Sequence, residues 1–148
     1  MKICIVGAGA IGGMLGVKLA LSGHDVTLIL RGANLEAVRQ NGLTLIEENG
    51  NELLAQPIRA ISSIPEAGVT RVVTMQNGIP WWYFYKLPGN YIGMPVRAVD
   101  PDGMIAKYIP IDSVIGSVVY PASEVIRPGV IKVIEGNRFT LGEIDNSD

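Results

Sequence analysis

Cysteine and histidine are scarce in this sequence, which has one of each among its 148 residues. The single cysteine, Cys4, excludes an internal disulfide framework and favours a reducing compartment. Its apolar neighbours Ile3, Ile5 and Val6 predict that the thiol is buried in the core. Because there is no cluster of histidine and cysteine, the pattern indicates no metal site.

Basic charge and long apolar runs are lacking as well. The formal net charge is −2, so there is no basic surface of the kind that binds nucleic acid or an anionic membrane. Glycines, His24 and Asp25 interrupt the apolar start of the chain well short of the roughly 20 apolar residues that a membrane-spanning helix needs. We therefore expect a cytoplasmic protein with neither a nucleic-acid nor a membrane partner.

What the sequence does contain is an alternation of strand and helix patterns. Lys2–Val6 is a β-branched run typical of a strand buried on both faces. Ala10–Leu21 has apolar residues at helical spacing, and Val26–Leu30 is a second apolar strand. Strand, glycine-rich turn, helix and strand in about 30 residues form a βαβ unit. The sequence therefore predicts an α/β, Rossmann-like fold, doubly wound around a mostly parallel sheet.

The rest of the chain is predicted in less detail. A short helix is expected over Asn34–Gln40, and strands over Leu43–Ile46, Leu53–Ala60, Val72–Met75, Val114–Tyr120, Val130–Ile134 and Arg138–Leu141. Only about ten residues separate Ala60 from Arg71, whereas a parallel crossover needs a dozen or more. Either this connection is not a crossover, or a strand–helix unit is missing between Ala60 and Arg71.

The turn after the first strand has the spacing of a dinucleotide-binding loop. Gly7-Ala8-Gly9-Ala10-Ile11-Gly12 matches GxGxxG between a strand and a helix, which is the context that makes this motif informative. Gly7 permits the tight turn, Gly9 allows the diphosphate to approach the backbone, and Gly12 allows close helix packing. The diphosphate then binds free N–H groups at the positive end of the helix. The alternative is a turn whose glycines serve packing alone.

The end of the second strand indicates which dinucleotide is bound. NAD-binding units usually carry Asp or Glu there, to accept hydrogen bonds from the ribose 2′-hydroxyl. Here the position holds Arg31, which can pair with a 2′-phosphate. The sequence therefore predicts NADP(H), and it disfavours FAD because the ribose of FAD also prefers an acidic partner. The alternative is that Arg31 is a solvated surface side chain.

Several stretches together resemble the ketopantoate reductase family: MKICIVGAGAIGG, GHDVTLILRG, VVTMQNG, and the later GSVVYPASEV, PGVIKV and GNRFTLGE. The resemblance covers nearly the whole chain. It implies NADPH-dependent reduction of an α-keto acid, 2-dehydropantoate to pantoate or a related substrate in pantothenate biosynthesis, by hydride transfer from the nicotinamide. It also implies that Asn77 lies near the nicotinamide and substrate, and that Pro121 and Ala122 border the cofactor.

Two departures from the family pattern bear on activity. The family has a strand ending in a Val-Lys-Ala type motif, followed by a helix, where this chain has the short Ala60–Arg71 connection. It also has a helical C-terminal domain that supplies a catalytic lysine and a substrate-binding glutamate. We therefore expect residues 1–148 to form one dinucleotide-binding domain without that helical domain, and to be catalytically incomplete alone.

Other residues are expected to have structural roles. The aromatic run Trp81–Tyr85 is interpreted as core or as a contact surface, and its alternative is a wall beside the nicotinamide. Asp100, Asp102, Glu124 and Glu135 are expected to be solvated. Two functions stay open: the cofactor-binding half of a keto acid reductase, and a module that binds or senses NADP(H) without chemistry. Assembly as a homodimer is also left open.

Overall fold

The structure is a computed structural model that describes residues 1–63 and 71–145. In chain order its elements are β1 (Lys2–Val6), α1 (Ala10–Leu21), β2 (Asp25–Ile29), α2 (Gly32–Asn41), β3 (Leu43–Ile46), β4 (Glu52–Ala55), β5 (Arg59–Ile61), β6 (Val72–Met75), α3 (Met104–Tyr108), a 3₁₀ turn (Ile111–Ser113), β7 (Val114–Val119), β8 (Ala122–Arg127), β9 (Val130–Glu135) and β10 (Phe139–Glu143).

The chain divides into two compact units. The first unit comprises Met1–Glu66 and Pro121–Asn137, and it contains a parallel sheet of order β1-β2-β5 and a mixed sheet of order β4-β3-β9-β8. The second unit comprises Ala67–Tyr120 and Arg138–Asp148. Its sheet has the order β10-β7-β6, in which β6 and β7 are parallel and β10 is antiparallel.

The predicted α/β class and the βαβ unit at the start of the chain are confirmed, and β1, α1, β3 and β6 have the predicted bounds. The predicted strand over Leu53–Ala60 is instead two strands, β4 and β5. Pro57 lies between them and has no N–H to donate to a ladder. The sequence predicts no strand at β8. The connection that looks too short for a crossover runs through residues 64–70, outside the described residues.

Helix α1 carries the core of the first unit, because it packs against strands of both sheets there. A Cβ at Gly16 would lie 2.9 Å from Leu28 Cδ2 of β2, and one at Gly13 would collide with Ile131 of β9. The absence of side chains at these positions therefore lets α1 approach both sheets closely. Met14, Val17, Leu28, Leu45 and Ile131 are fully buried around it.

The expectation that β1 is buried on both faces is wrong. Its residues alternate in burial, with Ile3 and Ile5 half-buried while Cys4 and Val6 are exposed. Val6 is 65% exposed. Within the described residues β1 pairs only with β2, so it is the edge of its sheet and only its α1 face is covered. Cys4 is consequently an exposed thiol and not the core residue that its apolar neighbours suggested.

The expectation that Asp100 is solvated is also wrong, since only 7% of it is exposed. Its Oδ1 accepts a hydrogen bond from the Ile105 N–H and its Oδ2 one from the Ala106 N–H, both at 3.0 Å. These N–H groups belong to the first turn of α3, where no intrahelical acceptor is available. The Asp100 side chain therefore caps the N-terminus of α3. Asp102, Glu124 and Glu135 are exposed, as predicted.

We expect Asp100→Ala to lower the free energy of unfolding by about 1–2 kcal/mol, since both N–H groups lose their side-chain acceptor. Urea denaturation measures the loss. Asp102→Ala is the matched control, because Asp102 is exposed two residues further on, and it should have little effect. Equal losses in the two variants would show that the carboxylate of Asp100 does not hold α3.

Candidate functional site

The glycine-rich turn connects β1 to α1 in the first unit. Gly7 has φ +83°, a conformation that side chains disfavour, and its N–H donates to the carbonyl of Ile29 at 3.3 Å. The Gly9 N–H donates to the Gly7 carbonyl at 2.8 Å, and the Gly13 N–H donates to the Gly9 carbonyl at 2.8 Å. The chain therefore folds back over the end of β2 and enters α1 at Ala10.

The three motif glycines have different structural reasons. Gly7 is required by its positive φ. Gly12 is required by packing, because a Cβ there would lie 2.5 Å from the Gly7 carbonyl oxygen and 3.1 Å from Ile5 Cγ2. Gly9 has φ −74°, and no described atom lies within 4 Å of the position that its Cβ would take. Neither conformation nor internal packing therefore requires glycine at Gly9, and the space beside it is open.

That space belongs to a cavity of about 310 Å³. The cavity is lined by Val6–Gly9, by Ile29 and Leu30 around the end of β2, and by Arg31 and Asn34. A volume of this order is typical of small-ligand sites. The structure thus brings four of the predicted cofactor residues, Gly7, Ala8, Gly9 and Arg31, to one cavity. Ala10, Ile11 and Gly12 lie beside them in the first turn of α1.

The polar side chains that line this cavity, within the described residues, are Arg31 and Asn34. Arg31 precedes the first residue of α2, and it is exposed. No carboxylate of the described residues lines the cavity, and the first turn of α2 has no acidic residue. The cavity therefore presents the positive charge of Arg31 next to the start of α1, which suits an anionic ligand.

Asn34 was not predicted as a site residue. It lies in the first turn of α2, and its Oδ1 accepts a hydrogen bond from the Gly129 N–H at 3.3 Å. Gly129 is far away in the sequence, so the local pattern around Asn34 gives no sign of this contact. The sequence feature that points to Asn34 is its spacing from Arg31. The two residues are three apart at the start of a helix, where side chains at this spacing lie on the same side.

Asn77, the predicted positioning residue, lies in the second unit, directly after β6. Its Nδ2 donates to the Val119 carbonyl at 2.7 Å, and its Oδ1 accepts from the Val119 N–H at 2.9 Å. The carboxamide therefore extends the β6–β7 ladder by one pair. This fixes the turn Gln76-Asn77-Gly78 against β7 and occupies one donor and one acceptor site of the side chain.

Pro121 and Ala122 belong to the first unit and are not among the residues that line the 310 Å³ cavity. Pro121 is buried, and Ala122 is the first residue of β8, where it pairs with Glu135 of β9. The structure therefore places them in a strand and its entry. Their predicted contact with the cofactor stays a prediction.

The aromatic run is partly core, as predicted. Trp81 is 9% exposed and its ring meets that of Trp82 edge-on at 4.3 Å, whereas Tyr83 is 49% exposed.

The neighbouring Lys86 forms an ion pair with Asp145, with Nζ and Oδ2 2.9 Å apart. The hydrogen bond from this pair raises the pKa of Lys86 above its usual value.

Residues 1–63 and 71–145 contain no group of three or more His, Cys, Asp or Glu side chains arranged to hold a metal ion. None of their helices combines the length and the apolar character that crossing a membrane requires.

Comparisons with known proteins agree with the fold and the turn. Residues 3–69 match the family described as ketopantoate reductase PanE/ApbA. A 2-dehydropantoate 2-reductase of Mesorhizobium japonicum is 47% identical over 171 residues, covering 97% of this chain and 52% of the relative. The matched region is longer than this chain of 148 residues, so the relative has residues within it that have no counterpart here.

Solved structures give the same result. A crystal structure from Ralstonia solanacearum MolK2, assigned to the ketopantoate reductases, has a TM-score of 0.84 and 38% identity, covering 95% of this chain and 51% of that one. The 2-dehydropantoate 2-reductase of Geobacter metallireducens shares the fold with a TM-score of 0.73 at 24% identity, over 100% of this chain and 51% of its own. The chain thus spans about half the length of these relatives. By its sequence and its fold, the chain belongs to the ketopantoate reductase family.

Proposed function

We propose that this chain binds NADPH and acts as the cofactor-binding part of a reductase whose substrate is an α-keto acid, 2-dehydropantoate or a related compound. The observation that carries the proposal is Arg31, a cation without a neighbouring acid, on the cavity formed by the glycine-rich turn. The matches to proteins named 2-dehydropantoate 2-reductase support the reductase role.

The residues present fit a dinucleotide. The open space at Gly9 allows a diphosphate to lie against the turn. Ala10, Ile11 and Gly12 begin α1, so their N–H groups have no intrahelical acceptor and are available to an anion at the start of the helix. Arg31 holds the 2′-phosphate through charge-assisted hydrogen bonds. When bound, the cofactor supplies the hydride for reduction of a ketone carbon.

Four further assignments belong to this proposal. Asn77, whose two hydrogen bonds to Val119 fix the turn after β6, positions the substrate and the cofactor, and Pro121 and Ala122 border the cofactor. A strand–helix unit is absent between Ala60 and Arg71, and the Mesorhizobium relative has residues within the matched region that this chain lacks, as that absence requires. A cytoplasmic location is supported by the single cysteine.

Arg31→Ala tests the cofactor assignment. Losing a charge-assisted pair costs about 1.5–3 kcal/mol, so the affinity for NADPH should fall by roughly one to two orders of magnitude. The affinity for NADH, which has no 2′-phosphate, should stay nearly unchanged. Fluorescence titration of both cofactors measures the two dissociation constants.

Arg127→Ala is the control for this measurement. Arg127 is an exposed arginine of the same unit that does not line the cavity, and removing it changes the net charge equally. We expect it to leave both affinities unchanged. Equal weakening of NADPH and NADH by Arg31→Ala would overturn the assignment of Arg31 to the 2′-phosphate.

A further inference from the structure

The side-chain Nδ2 group of Asn34 has no hydrogen-bond partner among the described residues. The side chain is half-buried in the first turn of α2 and lines two cavities. One is the 310 Å³ cavity at the glycine-rich turn. The other has a volume of about 10 Å³, enough for about one water molecule. Ala8, Leu30 and Asn34 line both.

The orientation of the carboxamide follows from its one hydrogen bond. The Gly129 backbone N–H is a donor, so the atom that faces it at 3.3 Å is Oδ1. Gly129 is itself held in place, because its carbonyl accepts the Thr44 N–H of β3 at 2.9 Å. With Oδ1 committed to this fixed turn, Nδ2 lies on the opposite side of the carboxamide and retains two N–H donors.

The small cavity offers no side-chain acceptor for those donors. Apart from Asn34, the side chains that line it are apolar or absent: Ala8, Leu30, Val38, Leu43, Val125, Gly129, Val130 and Ile131. In the large cavity the other polar side chain among the described residues is Arg31, a guanidinium that can only donate. Among the described residues, two donor side chains therefore share a cavity in which the one side-chain acceptor, Asn34 Oδ1, accepts from Gly129, and this arrangement is suited to an oxygen-rich anion.

We propose that Asn34 is a specificity-determining residue, whose Nδ2 donates to the 2′-phosphate that Arg31 pairs with. The inference rests on the proposed binding of NADPH and extends it by a second recognition group. The hydrogen bond from the Gly129 N–H to Oδ1 fixes the orientation of the carboxamide, and it therefore also fixes the orientation of Nδ2. Pre-oriented donors bind with less loss of side-chain entropy.

Asn34→Asp tests whether the side chain lies at the 2′-phosphate. The aspartate is nearly isosteric and keeps an oxygen that can accept from Gly129, but it replaces the Nδ2 donor by a negatively charged oxygen. We expect the dissociation constant for NADPH to rise at least tenfold, about the effect of one hydrogen bond to a charged group. The constant for NADH should change by less than about threefold, since NADH has only a hydroxyl at the 2′ position.

Asn34→Ala is the second variant, because it removes both the donor and the bond to Gly129. If Asn34 serves only to hold the Gly129 turn, Asn34→Ala should lower the melting temperature and weaken the binding of NADPH and NADH by the same factor, so that the preference for NADPH keeps its wild-type value. That pattern would overturn the inference. If Asn34 recognises the 2′-phosphate, Asn34→Ala weakens NADPH several times more than NADH, and Asn34→Asp weakens NADPH further because it adds repulsion between like charges.

Titrations of the wild-type chain and of Arg31→Ala show whether a negative result contradicts the proposed function or only the role of Asn34. A wild-type chain that binds neither NADPH nor NADH contradicts the proposed function itself. A wild-type chain that prefers NADPH, loses this preference in Arg31→Ala and keeps it in Asn34→Ala contradicts only the role of Asn34.

Discussion

Gly9→Val should abolish the binding of NADPH and NADH together while leaving the protein folded. Gly9 has φ −74°, which valine can adopt, and no described atom lies within 4 Å of its Cβ position. The branched side chain would instead fill the space in which a diphosphate meets the start of α1. Losing two charge-assisted hydrogen bonds at about 1.5–3 kcal/mol each weakens binding by at least about a hundredfold.

Calorimetric titration with each cofactor measures the binding, and circular dichroism with thermal melting reports the fold. Gly142→Val is the matched control: Gly142 also has no positive φ and no described atom within 4 Å of its Cβ position, but it lies in β10 of the second unit. It should leave both affinities unchanged. Near-normal binding by folded Gly9→Val would mean that the dinucleotide binds elsewhere.

The contrast between the motif glycines shows what the sequence could predict. Strand, turn and helix at the start of the chain depend on residues close in sequence, so periodicity and the GxGxxG spacing predicted β1 and α1 to the residue. Which glycine serves packing and which leaves room for a ligand depends on atoms around the turn. The structure separates Gly12, closed off by the Gly7 carbonyl, from Gly9, which faces open space.

The burial of β1 was mispredicted for a related reason. An apolar strand in a parallel sheet is normally covered on both faces, and the sequence KICIV fits that rule. Whether both faces are covered depends on elements elsewhere in the chain. In the described residues β1 has one neighbouring strand and only its α1 face is covered, so Cys4 and Val6 are exposed.

Contacts between distant segments were the least predictable part. Asn34 and Gly129 are 95 residues apart, and nothing in either local pattern indicates that they meet. An isolated Asp such as Asp100 is usually solvated, yet Asp100 is buried and its carboxylate accepts hydrogen bonds from two N–H groups of α3. Strand β8 is exposed along most of its length, and within residues 1–63 and 71–145 it pairs only with β9, so it lacks the buried apolar face by which a strand is recognised.

The described residues provide few candidates for the acid that a reductase requires. Hydride transfer to a ketone leaves an alkoxide, which needs a proton from a positioned group. Asn77 cannot donate a proton at neutral pH, and its carboxamide is committed to Val119. Lys86 is bound to Asp145, and because this raises its pKa, it releases a proton less readily. Lys107 stands 5.5 Å from the ring of Tyr108, and Tyr120 is 57% exposed.

We therefore expect this chain alone, with saturating NADPH and 2-dehydropantoate, to turn over at least about a thousandfold more slowly than the Mesorhizobium relative. General acid catalysis contributes about 10²–10⁴-fold, and the loss of substrate positioning lowers the rate further. The measurement is NADPH oxidation followed by absorbance, with cofactor binding confirmed in the same sample. Binding without turnover agrees with a cofactor-binding part or with an NADP(H)-sensing module. Turnover within about tenfold of the relative would contradict the expectation, because general acid catalysis would then be intact; Tyr120→Phe and Lys107→Ala would show which side chain supplies the proton.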